Sequence, residues 1–267
     1  MKSMLVCLVV IVIISAVSGC TSNSIAPNEP IQAVTYTNVR ITDSFWSPRL
    51  QANRKVSVPQ MLNEYERQAQ TPNMKLVEAV GHILAQNPDP QLEANLNSKI
   101  DSIINTFKSQ NPNEKWIHLK NGEMYVAGHF FEAAVAYHNA TGNQNILNAA
   151  VELANHLESV FGPGKRYDVS GHEEVKIGLL KLYKYTGDKK YYELAKFFID
   201  QRGKAINGRQ LYGQYAQDHK PVVEQDEAVG HCVRATYLYA PLAEIARISC
   251  DESYIKASKK IWNDAVR

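Results

Sequence analysis

The sequence predicts an all-α fold of helical hairpins, and three observations carry that reading: apolar residues at helical spacing, a repeated turn and a repeated Gly-His pair. Past Ile41, hydrophobic residues recur every three or four positions in nine stretches: 56–65, 76–84, 92–107, 130–137, 146–160, 175–185, 191–199, 233–248 and 254–262. That period lines one face of a helix, whereas a half-buried strand alternates every second residue. Residues 34–41 alternate enough to be a short strand or an extended lead-in. Asp43-Ser44-Phe45-Trp46-Ser47-Pro48 then reads as a turn with a large aromatic anchor.

The turn repeats without gaps as Thr141-Gly142-Asn143-Gln144, Thr186-Gly187-Asp188-Lys189 and Ser249-Cys250-Asp251-Glu252. Asn143, Asp188 and Asp251 are good N-caps, and Gly142 and Gly187 suit the left-handed residue that ends a preceding helix. Upstream of each turn stands a Gly-His pair, Gly128-His129, Gly171-His172 or Gly230-His231, expected to start the first helix of its hairpin. Serial hairpins make either an α-solenoid or a closed α/α barrel. Successive pairs are 43 and then 59 residues apart, too uneven for a regular array. Irregular loops at 161–170 and 203–227 favour a barrel whose loops build a site.

Residues 1–20 read as an export signal. Lys2 precedes the apolar run 4–17, which is short for a membrane span, and Val17-Ser18-Gly19-Cys20 resembles a bacterial lipobox with Cys20 as the lipidated residue. Polar residues 21–33 form a tether, and Thr21 favours the outer membrane over retention in the inner one. The expected location is therefore outside the cytoplasm, lipid-anchored in the outer membrane or periplasm. Basic and acidic residues number 29 and 27, leaving a net charge of +2 with no basic run, so nucleic acid is not an expected partner. Cys232 and Cys250 remain for the folded body, either as a disulfide or as buried thiols; two cysteines are not a zinc motif.

With the first helix of each hairpin on the inside of a barrel, His129, His172 and His231 gather at one mouth. Such histidines suit helix-start packing, a three-His metal site, or hydrogen bonds to sugar hydroxyls; threefold recurrence favours a site. Tyr125, Tyr212 and Tyr215 are expected in loops as stacking partners, whereas Tyr183, Tyr185, Tyr191 and Tyr192 read as core. Among nearby carboxylates, Glu123, Glu173, Glu174, Asp226 and Glu227, most are expected as surface or first-turn charges, and spacing nominates no acid/base pair.

The words Glu123-Met124-Tyr125-Val126-Ala127-Gly128-His129, Gly171-His172-Glu173-Glu174-Val175 and Gln225-Asp226-Glu227-Ala228-Val229-Gly230-His231-Cys232-Val233-Arg234-Ala235 resemble successive motifs of the β-L-arabinofuranosidase family, glycoside hydrolase family 127. Asp43 to Leu50 and the loop Gln217-Asp218-His219 resemble it too. The resemblance implies an (α/α)6 barrel, here about four of six hairpins over residues 34–267. It also implies a retaining glycosidase of plant-type arabinose-containing glycans whose nucleophile is a zinc-bound cysteine. His129, His172, His231, Tyr125 and Gln225 would contact substrate. Neither the family's nucleophile nor its zinc ligands match Cys232 or Cys250, so no catalytic residue, metal ligand or cofactor is assigned within this chain. Residues 71–76 and 111–120 also depart from the family pattern. Other readings are a sugar epimerase or unsaturated-uronyl hydrolase on a similar barrel, and a surface lipoprotein that binds glycans without cleaving them.

Overall fold

A computed structural model describes residues 34–67, 74–108 and 123–266. The signal run, Cys20, the tether, positions 71–73 and the stretch 111–120 lie outside the described residues. Helix α1 (Trp46–Ala52) runs through a π-helical turn, Asn53–Ser57, into α2 (Val58–Arg67). Four hairpins follow: α3 (Met74–Gln86) with α4 (Pro90–Lys108), α5 (Glu123–Thr141) with α6 (Gln144–Val160), α7 (Glu174–Thr186) with α8 (Lys189–Asp200), and α9 (Cys232–Ser249) with α10 (Glu252–Ala265). The nine predicted helical stretches fall on α2 to α10.

Two expectations at the start of the domain are narrowed or corrected. Of the two readings of residues 34–41 the strand fails and the lead-in holds: a 3-10 turn, Tyr36–Asn38, interrupts them, and among the described residues no strand is present to pair their backbone. Contacts to α3 hold the segment instead, with the Tyr36 carbonyl accepting from Gln86 Nε2 at 3.2 Å and its ring edge-on to His82. Trp46 is no anchor, being 57% exposed; Asp43 does the ordering by accepting from the Phe45 and Trp46 amides at the start of α1.

The repeated turn is built the same way three times. Thr141 and Thr186 donate their hydroxyls to the carbonyls of Tyr137 and Leu182 at 2.8 Å. The amides of Asn143, Asp188 and Asp251 then donate to the Thr141, Thr186 and Ser249 oxygens at 3.2 Å. Asn143, Asp188 and Asp251 cap the next helix as predicted. Gly142 and Gly187 take φ of 73° and 75°, and in the third copy Cys250 takes that left-handed position with φ 56°. A side chain there costs about 1–2 kcal/mol relative to glycine. Cys250→Gly is therefore expected to raise stability by about 1 kcal/mol, read as a higher denaturant midpoint; an unchanged or lower midpoint would show that the turn tolerates the side chain without strain.

The first helices pack side by side, α3 on α5, α5 on α7 and α7 on α9, while α4, α6 and α8 make a second layer behind them. This arrangement buries α5 on most sides, including Phe130, Phe131, Ala133, Ala134 and Tyr137. The expected core tyrosines split: Tyr191 and Tyr192 are buried and Tyr183 packs on the core, but Tyr185 is 40% exposed.

The Gly-His pairs do not all start helices. Gly128-His129 sits in the second turn of α5. Glycine is needed at 128 for helix contact, because a Cβ would lie 2.6 Å from the Glu174 backbone, and one at Gly178 would lie 2.4 Å from the Gly128 carbonyl. So α5 and α7 meet backbone to backbone. Gly230 answers a different need, a turn with φ 77° pressed against the Gln214 carbonyl. The cysteine reading is also corrected: Cys232 and Cys250 are exposed thiols. They stand at opposite ends of α9, roughly 27 Å apart at the helical rise, too far for a disulfide.

Candidate functional site

Helices α5, α7 and α9 bring two of the predicted histidines together. The Tyr125 ring centroid lies 4.6 Å from that of His129 and 4.7 Å from that of His172, both edge-on. Tyr237 of α9 closes the group from the other side, 4.9 Å from His172 and 6.3 Å from His129. Tyr125 belongs to the first turn of α5 rather than to a loop, which fixes its direction. Pro241, lying inside the continuous α9, has no N–H for the Tyr237 carbonyl four residues back, so the helix lacks one backbone hydrogen bond beside the site.

His172 and His231 both act at helix starts. His172 Nδ1 accepts from the Glu174 amide at 3.2 Å, and His231 Nδ1 accepts from the Arg234 amide at 3.4 Å as the N-cap of α9. His231 faces Tyr215, with ring centroids 5.3 Å apart. Arg234 links the two places: its Nη1 donates to the Gly171 carbonyl and its guanidinium lies 5.2 Å from the Tyr215 ring. Tyr212 and Tyr215 are exposed loop residues, as expected.

Gln225 is fully buried beneath the loop, where its Nε2 donates to the Gln217 and Lys220 carbonyls at 2.9 Å. The same loop closes on Asp218, which accepts from the Gly203 and Tyr212 amides and pairs with Arg209 at 2.7 Å.

Of the five carboxylates expected mostly at the surface or in first turns, Glu174 does open the first turn of α7 with Glu173 at its N-cap, but neither is a surface charge, since both are wholly buried. Glu173 pairs with Lys176 and Arg202, both equally buried, and Arg202 also holds the Ser170 and Ala216 carbonyls. Asp226 and Glu227 are exposed, as predicted; the Glu123 side chain lies outside the described residues.

Glu174 belongs to a second buried group. Its Oε1 is 3.0 Å from His129 Nδ1, and Glu132 Oε2 is 3.4 Å from the same nitrogen. Lys181 balances the charge, its Nζ touching Glu132 and lying 3.0 Å from Glu78 Oε1. Burial and the adjacent Glu132 carboxylate push the Glu174 carboxyl up to about 10, so it keeps its proton at neutral pH. Burial works against Glu132 too, but hydrogen bonds with His129 and Glu174 and the Lys181 cation outweigh it and hold that carboxyl at about 2. Burial and the Arg234 cation bring His172 down to about 4, leaving a neutral imidazole able to both donate and accept.

Ligand atoms of Glu78, His129 and Glu132 lie within 4.8 Å of one another, a spacing a metal ion could use. Lys181 already fills the cation's place, however, and the group contains no thiol. These residues do not fit the zinc-thiolate centre that the family resemblance implies.

This surface has relatives. The family model for the β-L-arabinofuranosidase GH127 catalytic domain matches residues 69–267. The chain belongs to glycoside hydrolase family 127. A non-reducing end β-L-arabinofuranosidase of Bifidobacterium longum is 33% identical over 251 residues, covering 80% of this chain and 38% of the relative. A solved family 127 β-arabinofuranosidase superposes with a TM-score of 0.77 at 35% identity, covering 87% of this chain and 43% of that one. A second, the β-L-arabinofuranosidase of Geobacillus stearothermophilus T6, gives a TM-score of 0.71 at 29% identity over 85% of this chain and 45% of that one. The chain thus spans less than half the length of these family 127 proteins.

Sequence reading missed Tyr237, Glu78, Glu132 and Lys181. Glu132 had a signal: it is the one charge in the otherwise apolar run from Phe130 to Tyr137, and a charge on a buried helix calls for a partner. Tyr237 carries none, because its role depends on which face of α9 turns toward α5 and α7.

Proposed function

We propose that this chain supplies the sugar-holding wall of a β-L-arabinofuranosidase-type site acting on arabinose-containing glycans of plant type. The observation that carries the reading is the His129, His172, Tyr125 and Tyr237 group. It presents the His172 imidazole and two phenols, half-buried and backed by the buried His129 ring, a set suited to hydroxyl donors and acceptors and to the apolar face of a furanose. His231, beside Tyr215 and tied to Gly171 through Arg234, extends the wall. Gln225 serves it by holding the loop 203–227 in place. Glycoside cleavage needs a nucleophile and an acid/base flanking the bond, and no described residue is assigned either role.

Titration calorimetry with a β-L-arabinofuranosyl oligosaccharide tests the reading. Saturable binding is expected, and His172→Ala should weaken it at least about tenfold, near 1.4 kcal/mol. Equal affinity for the variant, or for a pyranosyl glucan, would count against an arabinofuranose site. Export with lipid on Cys20 is the accompanying proposal, supported by the run 4–17 and Val17-Ser18-Gly19-Cys20. Radiolabelled palmitate should mark the wild-type protein and not Cys20→Ala.

A further inference from the structure

Three neighbouring inner helices bring metal-ligating side chains to one place. His129 and Glu132 sit three residues apart on α5 and so share a face, while Glu78 reaches them from α3 and Glu174 from α7. One atom each of Glu78, His129 and Glu132 lies within 4.8 Å of the other two. Glu174 adds an independent observation. Its side chain is wholly enclosed, neither of its oxygens makes a hydrogen bond, and Oε1 stands 3.0 Å from His129 Nδ1. That nitrogen makes no hydrogen bond either, although Glu132 Oε2 also lies only 3.4 Å from it. Buried polar atoms this close to one another are ordinarily hydrogen-bonded. Shared coordination of an ion places them differently: bonds of about 2.0–2.2 Å to nitrogen and carboxylate oxygen put adjacent ligand atoms about 3.0–3.5 Å apart, with each oxygen beside the nitrogen's lone pair rather than along it.

We propose that Glu78, His129, Glu132 and Glu174 form a site for one divalent cation of the manganese type, and that Lys181 occupies the place when no ion is bound. Carboxylate oxygens with a single imidazole make a hard, mostly oxygen ligand set without a thiol, which suits Mn²⁺ and differs in kind from a zinc-thiolate centre. Charge points the same way. Three carboxyl groups face one ammonium, Lys181 Nζ, which touches Glu132 and lies 3.0 Å from Glu78 Oε1. Closely packed buried carboxyls need more positive charge than one lysine brings. The Lys181 side chain is 41% exposed, against 9% for Glu132 and none for Glu174, so it can withdraw to solvent and open the way in for an ion. Metal sites in helical folds are built in this manner, from side chains that facing helices turn toward each other. Bound there, the ion ties α3, α5 and α7 together and fixes the His129 ring. No sugar contact enters the inference, so it stands or falls apart from the sugar-wall reading.

Manganese titrated into the full chain, followed by electron paramagnetic resonance, tests the site. The multiline signal of free Mn²⁺ should fall until one equivalent is bound, and the bound ion should carry modulation from an imidazole nitrogen. Glu132→Gln should weaken binding at least about tenfold, and Lys181→Met, which removes the competing ammonium, should tighten it by about tenfold. His82 provides the control, because its Nε2 lies 3.5 Å from Glu78 Oε1 and could make a surface site with that carboxylate. His82→Ala should bind Mn²⁺ as the wild type does and keep the nitrogen modulation. A wild-type chain that leaves the free-ion signal unchanged at millimolar manganese overturns the proposal. So does loss of binding or of nitrogen modulation in His82→Ala, or a Lys181→Met protein that folds and binds no more tightly than wild type. Should the Glu132 or Lys181 variant fail to fold, the wild-type titration and the His82 variant still decide the matter.

Discussion

Glu173→Ala is expected to cost about 3–5 kcal/mol of folding stability, because it leaves two cations buried without a counter-charge. Glu173, Lys176 and Arg202 are all wholly enclosed, and Glu173 is the shared partner of both cations. Burial already drags the Lys176 amine down to about 8 against the pull of Glu173. Arg202 cannot shed its proton at all. The damage should spread to the site, since Arg202 also holds the Ser170 carbonyl, two residues before His172, and the Ala216 carbonyl, beside Tyr215. Chemical denaturation measures the loss, and hydrogen exchange of residues 170–172 and 214–218 measures the spread. A cost below about 1 kcal/mol would mean that water reaches the three charges. Replacing all three by Leu, Met and Met should recover most of the loss, since a buried ion cluster stabilises little more than a well-packed apolar one.

The second large effect is a dependence of stability on pH that belongs to Glu174. Its carboxyl titrates near 4.5 when unfolded and at about 10 when folded. Between those values the folded chain holds a proton the unfolded chain has released, so stability falls as pH rises. The limiting slope for one proton is about 1.4 kcal/mol per pH unit. His172 acts in the opposite sense, since its folded value of about 4 lies below the ordinary 6.5, so stability rises with pH between them. Lys176 does the same from about 8 up to 10.5. The Glu174 slope is therefore cleanest between pH 6.5 and 8. Across that window the wild type should lose up to about 2 kcal/mol relative to Glu174→Gln, which has no proton to hold. Parallel stability curves for the two proteins would show that Glu174 is ionised in the fold.

Much of the helical architecture was legible because its causes are local. The stripes of 146–160 and 191–199 become the amphipathic helices α6 and α8, whose inner faces are buried. Asn143, Asp188 and Asp251 cap helices from their own side chains, needing only the next two or three amides. Where reading by pattern failed, the cause lay elsewhere in the chain. Trp46 looked like an anchor, but an aromatic side chain is buried only if another element arrives to cover it. Gly128 looked like a helix start, yet its glycine is dictated by Glu174 and Gly178 on another helix. Glu173 and Glu174 looked like ordinary first-turn acids and are the most enclosed carboxyls of the site.

By itself, then, the sequence determined the family, the hairpin unit and its turns, and the histidines that mark the inner helices, because periodicity, capping and motif words are properties of neighbouring residues. Tertiary structure decided which of those histidines meet and what charge surrounds them. His129 and His172 share Tyr125 and Tyr237, while His231 joins them only through the Arg234 link to Gly171. The protonation of Glu174 was decided there too: its proton is held by burial and by Glu132, 42 positions earlier in the chain, and only the packing of α5 on α7 makes the two carboxyls neighbours.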